Sequence, residues 1–155
     1  DRGHLAPAAD MKWSEEAMTE SFYTTNICPQ NHNLNSKSWE RLEAQVREWA
    51  KEFGNIYICT GPIVENAVST IGTDRKIVVP QAFYKALVAT RDGKWYAIAF
   101  RMENVSEGSK KELSHFVRTV DEIERMTDID LFCNLPDSIE SLIESEYDLS
   151  DWGLQ

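Results

Sequence analysis

Apolar residues along this chain fall into a few clear periodicities. Trp39, Leu42, Val46, Trp49 and Phe53 recur at spacings of three, four, three and four, which predicts an amphipathic helix from Ser36 to about Phe53 with one face on a core. Gly54-Asn55 stops it. The apolar run Ile56–Thr60 reads as a buried strand ending at Gly61-Pro62, and residues 76–79 read as another short strand. Residues 82–90 and 95–101 flank Arg91-Asp92-Gly93, a hairpin signal in which Asp-Gly supplies positive φ. Two more helices are predicted, Val120 to about Thr127 and Ser138 to about Glu144, the second on an acidic, solvated face. Before Ser36 no periodicity is sustained, so Asp1–Asn35 reads as a long functional loop with an acidic helical patch around Met11–Met18. The expected fold is α+β, a mainly antiparallel sheet with packed helices.

Composition narrows this picture. A chain of 155 residues with 42% hydrophobic content supports one domain with a real core. No run of about 18 apolar residues is present, so no membrane-spanning helix is expected. The formal net charge of −10 counts against nucleic-acid binding only if it is evenly spread. It is not: residues 1–60 carry −3, residues 61–110 carry +2 and residues 111–155 carry −9. Acidity is thus a property of the C-terminal end. Cys28, Cys59 and Cys133 show no Cys-x-x-Cys spacing, which argues against zinc and leaves one disulfide plus a thiol, or three thiols, both open.

Hydrolysis of a phosphodiester needs a base to activate water, a cation to offset charge on the phosphoryl oxygens, and groups that hold both in line. His4 in Asp1-Arg2-Gly3-His4 can serve as the base, Gly3 permitting the bend that presents it. Arg2 would share its face in an extended segment, and its guanidinium suits phosphate. Asn35 precedes the amphipathic helix, where it is either an N-cap or a neutral amide ligand that leaves Mg²⁺ its full charge. Glu43 lies about 12 Å further along a continuous helix, too far for both to be direct ligands. It would act through water, or simply pair with Arg47 at i,i+4.

Asp-Arg-Gly-His-Leu-Ala-Pro-Ala-Ala-Asp, Thr-Asn-Ile-Cys-Pro-Gln and Leu-Asn-Ser-Lys-Ser-Trp-Glu-Arg-Leu-Glu occur in this order. Together with Ile-Tyr-Ile-Cys-Thr-Gly-Pro, Val-Pro-Gln-Ala-Phe-Tyr-Lys and Val-Asp-Glu-Ile-Glu-Arg-Met-Thr-Asp-Ile-Asp-Leu-Phe, they resemble the DNA/RNA non-specific endonuclease family of ββα-metal nucleases over nearly the whole chain. The resemblance implies a Mg²⁺-dependent enzyme, with Mn²⁺ as a substitute, that cleaves DNA and RNA. It implies His4 as general base, Asn35 as the sole direct protein ligand, and Glu43 as the group orienting metal-bound water. Arg2 matches an arginine that stabilises the phosphate. Asn26 matches an asparagine near the active site, although an amide there could equally hold a loop turn; Cys28 is given no catalytic role. Such nucleases usually carry strands and an arginine before Asp-Arg-Gly-His, so residues 1–155 read as the C-terminal portion of the domain. A secreted or periplasmic location and an inhibitor protein as partner also follow as expectations.

A non-catalytic binding module on the same fold is the competing reading. The joint presence of His4, Asn35 and Glu43 favours an enzyme. A phosphoesterase for small or lipid phosphates would need a closed apolar pocket instead.

Overall fold

The computed structural model describes residues 1–64, 69–106 and 110–155. At its centre lies an antiparallel sheet ordered β3-β6-β7-β8, with β3 spanning Ile56–Ile63, β6 Ala82–Arg91, β7 Lys94–Glu103 and β8 Val117–Arg118. β6 and β7 form the expected hairpin. Arg91 pairs with Lys94 across Asp92 (φ 53°) and Gly93 (φ 75°), the two positive φ values of a tight turn that follows the twist of the strands.

Every β6 residue from Ala82 to Ala89 is buried, because helices cover both faces of the sheet. On one face Phe83, Leu87, Ile98, Phe100 and Met102 meet Leu42, Val46, Trp49 and Phe53 of helix α2, Glu40–Phe53. On the other, Ala86, Val88, Ala97 and Ala99 meet Val120 and Ile123 of α3 (Val120–Thr127) and Ile143 of α4 (Asp137–Ile143). Small residues on this face let the two short helices approach closely. Thr119 and Glu122 close a capping box at the start of α3, and Trp49 Nε1 donates to the carbonyl of Trp152, fastening the last turn onto the core.

Four expectations change. The strand at Ile56 runs through Gly61-Pro62 to Ile63 and is half exposed rather than buried, since β3 is the sheet edge, where proline's missing N–H costs no ladder bond. A Cβ on Gly61 would lie 2.7 Å from the Tyr84 ring, so the glycine admits that ring. The strand near residues 76–79, β5 (Ile77–Val79), pairs with β4 (Ser69–Ile71) as a separate ribbon. The segment before Ser36 is built rather than irregular: β1 (Arg2–His4) pairs antiparallel with β2 (Ile27–Pro29), and the acidic patch forms α1 at Glu15–Glu20. Finally, helical backbone begins at His32, not Ser36, and passes through a π-helical stretch, Leu34–Trp39, into α2. Among the described residues no helix is long and apolar enough to cross a membrane. All three cysteines are free thiols.

Candidate active site

The paired strands β1 and β2 followed by the long helix form a ββα unit, and the predicted site residues sit on its parts. Asn31 provides the true helix cap: its Oδ1 accepts from the Asn33 N–H at 2.9 Å. Asn35 is therefore released from the capping role that sequence left open for it. Its own N–H already bonds to the Asn31 carbonyl at 2.9 Å, one turn inside the helix. Asn104, from the loop after β7, clamps this corner by accepting from the Asn31 N–H and donating to the carbonyls of Pro29 and Pro80.

His4, Arg2 and Asn35 line one open cavity of about 580 Å³ together with Asp1, Phe22 and Ile27. Extended backbone at Arg2–His4 puts positions 2 and 4 on one face, as β periodicity requires. The Phe22 ring meets the His4 imidazole edge to face at a centroid distance of 4.6 Å. His4 Nε2 is buried and has no hydrogen-bond partner among the described residues. Burial holds the imidazole below its ordinary pKa, which keeps it neutral and able to take a proton. Gly3 does not supply a bend, since its backbone is ordinary strand. A Cβ there would fall 2.0 Å from Gln30 Oε1 and 2.6 Å from Gln30 Cβ, so glycine is needed for the close approach of the buried Gln30 side chain.

Asn35 Nδ2 donates to Asp1 Oδ2 at 3.1 Å, and the same carboxylate oxygen lies 2.9 Å from His32 Nδ1. With the amide nitrogen so engaged, Asn35 Oδ1 is left without a partner among the described residues. A lone amide oxygen beside a carboxylate is an all-oxygen donor set, suited to a hard cation such as Mg²⁺. Asn26 stands differently. Its Oδ1 accepts from the Ala6 N–H, and its Nδ2 donates to the carbonyls of Ala6 and Ser21, so the amide is committed to the loop that carries His4.

Glu43 lines a second cavity of about 390 Å³, with Asn26, Asp10, Thr60 and Lys85, that shares no lining residue with the first. Burial pushes its carboxyl up to about 7, while Lys85 holds it down. Lys85 projects from the middle of β6, is 3% exposed, and donates to Thr60 Oγ1 at 2.8 Å. Burial lowers its ammonium to about 8, and the Glu43 charge partly opposes that. Arg47 does not pair with Glu43 as helix spacing suggested; its guanidinium bonds to Asp10 Oδ1 at 3.0 Å.

Sequence reasoning passed over Asp1, Phe22 and Lys85. Asp1 reads as a solvated charge and Phe22 as a loop apolar. Lys85 carried a usable signal: a cation at an inward-facing position between Phe83 and Leu87.

Residues 1–138 match the family model described as DNA/RNA non-specific endonuclease. The chain is 35% identical over 144 residues to the mitochondrial nuclease EXOG of Danio rerio, covering 84% of this chain and 42% of that protein. It is 33% identical over 135 residues to the mitochondrial endonuclease G of Bos taurus, covering 81% of this chain and 45% of that protein. The structure superposes on a chain of the EndoG/EndoGI complex, a crystal structure concerned with the mechanism of EndoG inhibition, with a TM-score of 0.81 and 29% identity, over 90% of this chain and 61% of the other. The chain thus spans less than half the length of those two curated relatives. The mitochondrial naming of the relatives corrects the expectation of a secreted or periplasmic location. That expectation rested mainly on the resemblance, with the cysteines merely permitting an oxidising compartment, and three free thiols do not call for one.

Proposed function

The chain belongs to the DNA/RNA non-specific endonuclease family, and on that premise we propose that it is the catalytic portion of a mitochondrial, Mg²⁺-dependent nuclease that hydrolyses phosphodiesters in both DNA and RNA. The supporting observation is the convergence of His4, Arg2 and Asn35 on one open cavity of about 580 Å³. Its open form also disfavours small or lipid phosphates, which would call for an enclosed apolar pocket.

In this reading His4 Nε2 takes the proton from the attacking water, and the lowered imidazole pKa keeps that nitrogen free at neutral pH. Phe22 fixes the ring plane by its edge-to-face contact. Arg2 faces the phosphate from the same strand and offsets charge as it develops. Asn35 would hold Mg²⁺ through Oδ1, with Asp1 fixing the amide so that oxygen rather than nitrogen is presented. Bound there, the cation would supply electrostatic stabilisation of the phosphoryl and leaving oxygens. Asn26 acts as a positioning residue, since its amide is spent on Ala6 and Ser21. Glu43 orients water from the adjoining cavity, with Lys85 setting its charge. Residues that touch phosphate carry no base preference, so cleavage is expected on single- and double-stranded DNA and on RNA alike. An inhibitor protein that occludes this cleft is the expected partner, by analogy with the EndoG/EndoGI complex.

The test is digestion of plasmid DNA and of a structured RNA by the full-length protein. EDTA should abolish both activities, and Mg²⁺ or Mn²⁺ should restore them. Undiminished cleavage in chelator, or binding of nucleic acid with no cleavage under any divalent ion, would reject the reading.

A further inference from the structure

The acidity of residues 111–155 is not simply a solvated face. Asp121 and Glu124, one turn apart on α3, and Glu144, at the end of α4, bring carboxylate oxygens within 4.8 Å of one another. The group lies by the helices that cover the sheet face opposite α2, away from the His4 cavity. Glu144 is 4% exposed, and its Oε1 is buried with no hydrogen-bond partner among the described residues. No Lys or Arg forms an ion pair with any of the three among the described residues. Arg125, the nearest basic side chain in sequence, spends its Nε on the Asp121 carbonyl. The charges acting on Glu144 are all acidic, from Glu124, Glu140, Asp121 and Asp130. A buried carboxylate among four others, with an orphaned oxygen and no counter-charge, is a costly arrangement unless something cationic joins it.

We propose that Asp121, Glu124 and Glu144 bind a divalent cation of the calcium class, which ties the end of α4 to α3. The three oxygens lie within 4.8 Å of one another, so small side-chain adjustments bring all of them within the roughly 2.3–2.6 Å at which Ca²⁺ is held. Mg²⁺ demands a near-ideal octahedron at about 2.1 Å and keeps several waters, which suits three protein carboxylates, one of them buried, less well than the flexible Ca²⁺ sphere does. The donor set is entirely oxygen, which disfavours zinc and copper. The backbone is already arranged for the role: the Asp121 N–H donates to the Glu144 carbonyl at 3.1 Å, and the Leu131 N–H holds Glu124 Oε1 at 2.6 Å. The ion is structural and separate from the nuclease cleft.

Calorimetric titration of the chelator-stripped full-length protein with CaCl₂ alone tests this, with wild type compared to Glu144→Gln, Asp121→Asn and Asn35→Ala. Wild type and Asn35→Ala should bind Ca²⁺ at this site, and the glutamine and asparagine variants should bind at least about tenfold more weakly. Saturating Ca²⁺ should raise the Tm of wild type and Asn35→Ala only. Asp121 is half exposed, so Asp121→Asn decides the matter if Glu144→Gln fails to fold, as judged by circular dichroism. No binding up to about 10 mM Ca²⁺, equal binding by Asp121→Asn, or loss of binding in Asn35→Ala would overturn the proposal. The last outcome would assign the ion to the nuclease cleft, and the first would leave Glu144 neutralised by a proton.

Discussion

Asn35 and Asp1 are joined side chain to side chain, the Asn35 amide N–H₂ donating to the Asp1 carboxylate at 3.1 Å. The bond spans the strand that carries His4 and the helix that carries the proposed ligand, so one contact sets both the facing of the amide and the spacing of the two elements. Asn35→Ala removes the oxygen itself. The Mg²⁺ concentration for half-maximal cleavage should then rise, with part of the rate recovered at saturation. Asp1→Ala leaves the oxygen but frees the amide to flip, and the loss should be smaller, in the range of about 10–100-fold in metal affinity. Cleavage rates across a Mg²⁺ titration check the order. A larger effect for Asp1→Ala than for Asn35→Ala would make Asp1 the principal ligand.

His4→Ala should lower kcat by about 10²- to 10⁴-fold while leaving substrate binding intact, because a base acts in the chemical step. The lowered imidazole pKa also fixes the sign of the pH dependence. A base with a depressed pKa stays neutral to lower pH, so the acid limb of kcat/KM should fall below the ordinary histidine value of about 6.5. An acid limb above that value would mean that another group controls the rate.

Gly3→Ala tests the β1–β2 pair. The added Cβ would collide with Gln30 close to its backbone, not only with the far end of the side chain. Overpacking of this kind costs about 1–3 kcal/mol. It should also shift His4, one residue on, so activity should fall further than stability alone explains. Urea unfolding and turnover measured on the same preparation check this. Unchanged stability would show that Gln30 swings aside.

Much of the fold was legible because its elements have strong periodicities. The helix stripe from Trp39 to Phe53, the Asp92-Gly93 hairpin and α3 all rest on local signals that tertiary packing then reinforced. The first 35 residues were not legible as structure. β1 and β2 are three residues each and pair across more than twenty positions, so no local pattern announces them. The helix start was misplaced for a related reason: Asn31, Asn33 and Asn35 are all plausible caps, and only the Asn104 clamp selects Asn31. At the site, resemblance named His4, Arg2 and Asn35, which the fold brings together. It did not show that Asn26 is spent on backbone or that Glu43 faces a buried lysine, since the first depends on the folding of the loops around Ala6 and Ser21 and the second on the packing of α2 against β6.

The Glu43–Lys85 relationship gives the last prediction. Glu43 has a raised pKa when folded, so its contribution to stability is fully present below about 4.5, its unfolded value, and is lost as pH rises through about 7. Lys85 is depressed, so its contribution is present above about 10.5 and is lost as pH falls through about 8. Lys85→Met removes the positive charge that holds Glu43 down. Glu43 should then titrate higher still, and the decline in stability between pH 5 and pH 8 should steepen relative to wild type, by an amount on the order of 1 kcal/mol across that window. Adding Glu43→Gln to Lys85→Met removes the titrating group and should flatten the profile again. Activity should separate the roles: Glu43→Ala should impair cleavage less than Asn35→Ala at matched Mg²⁺, because an outer carboxylate orients water that can still bind. Urea unfolding at several pH values, with cleavage assays on the same variants, measures both. A pH profile for Lys85→Met parallel to wild type would show that the two charges do not act on each other, and Lys85 would then have no part in setting the charge of Glu43.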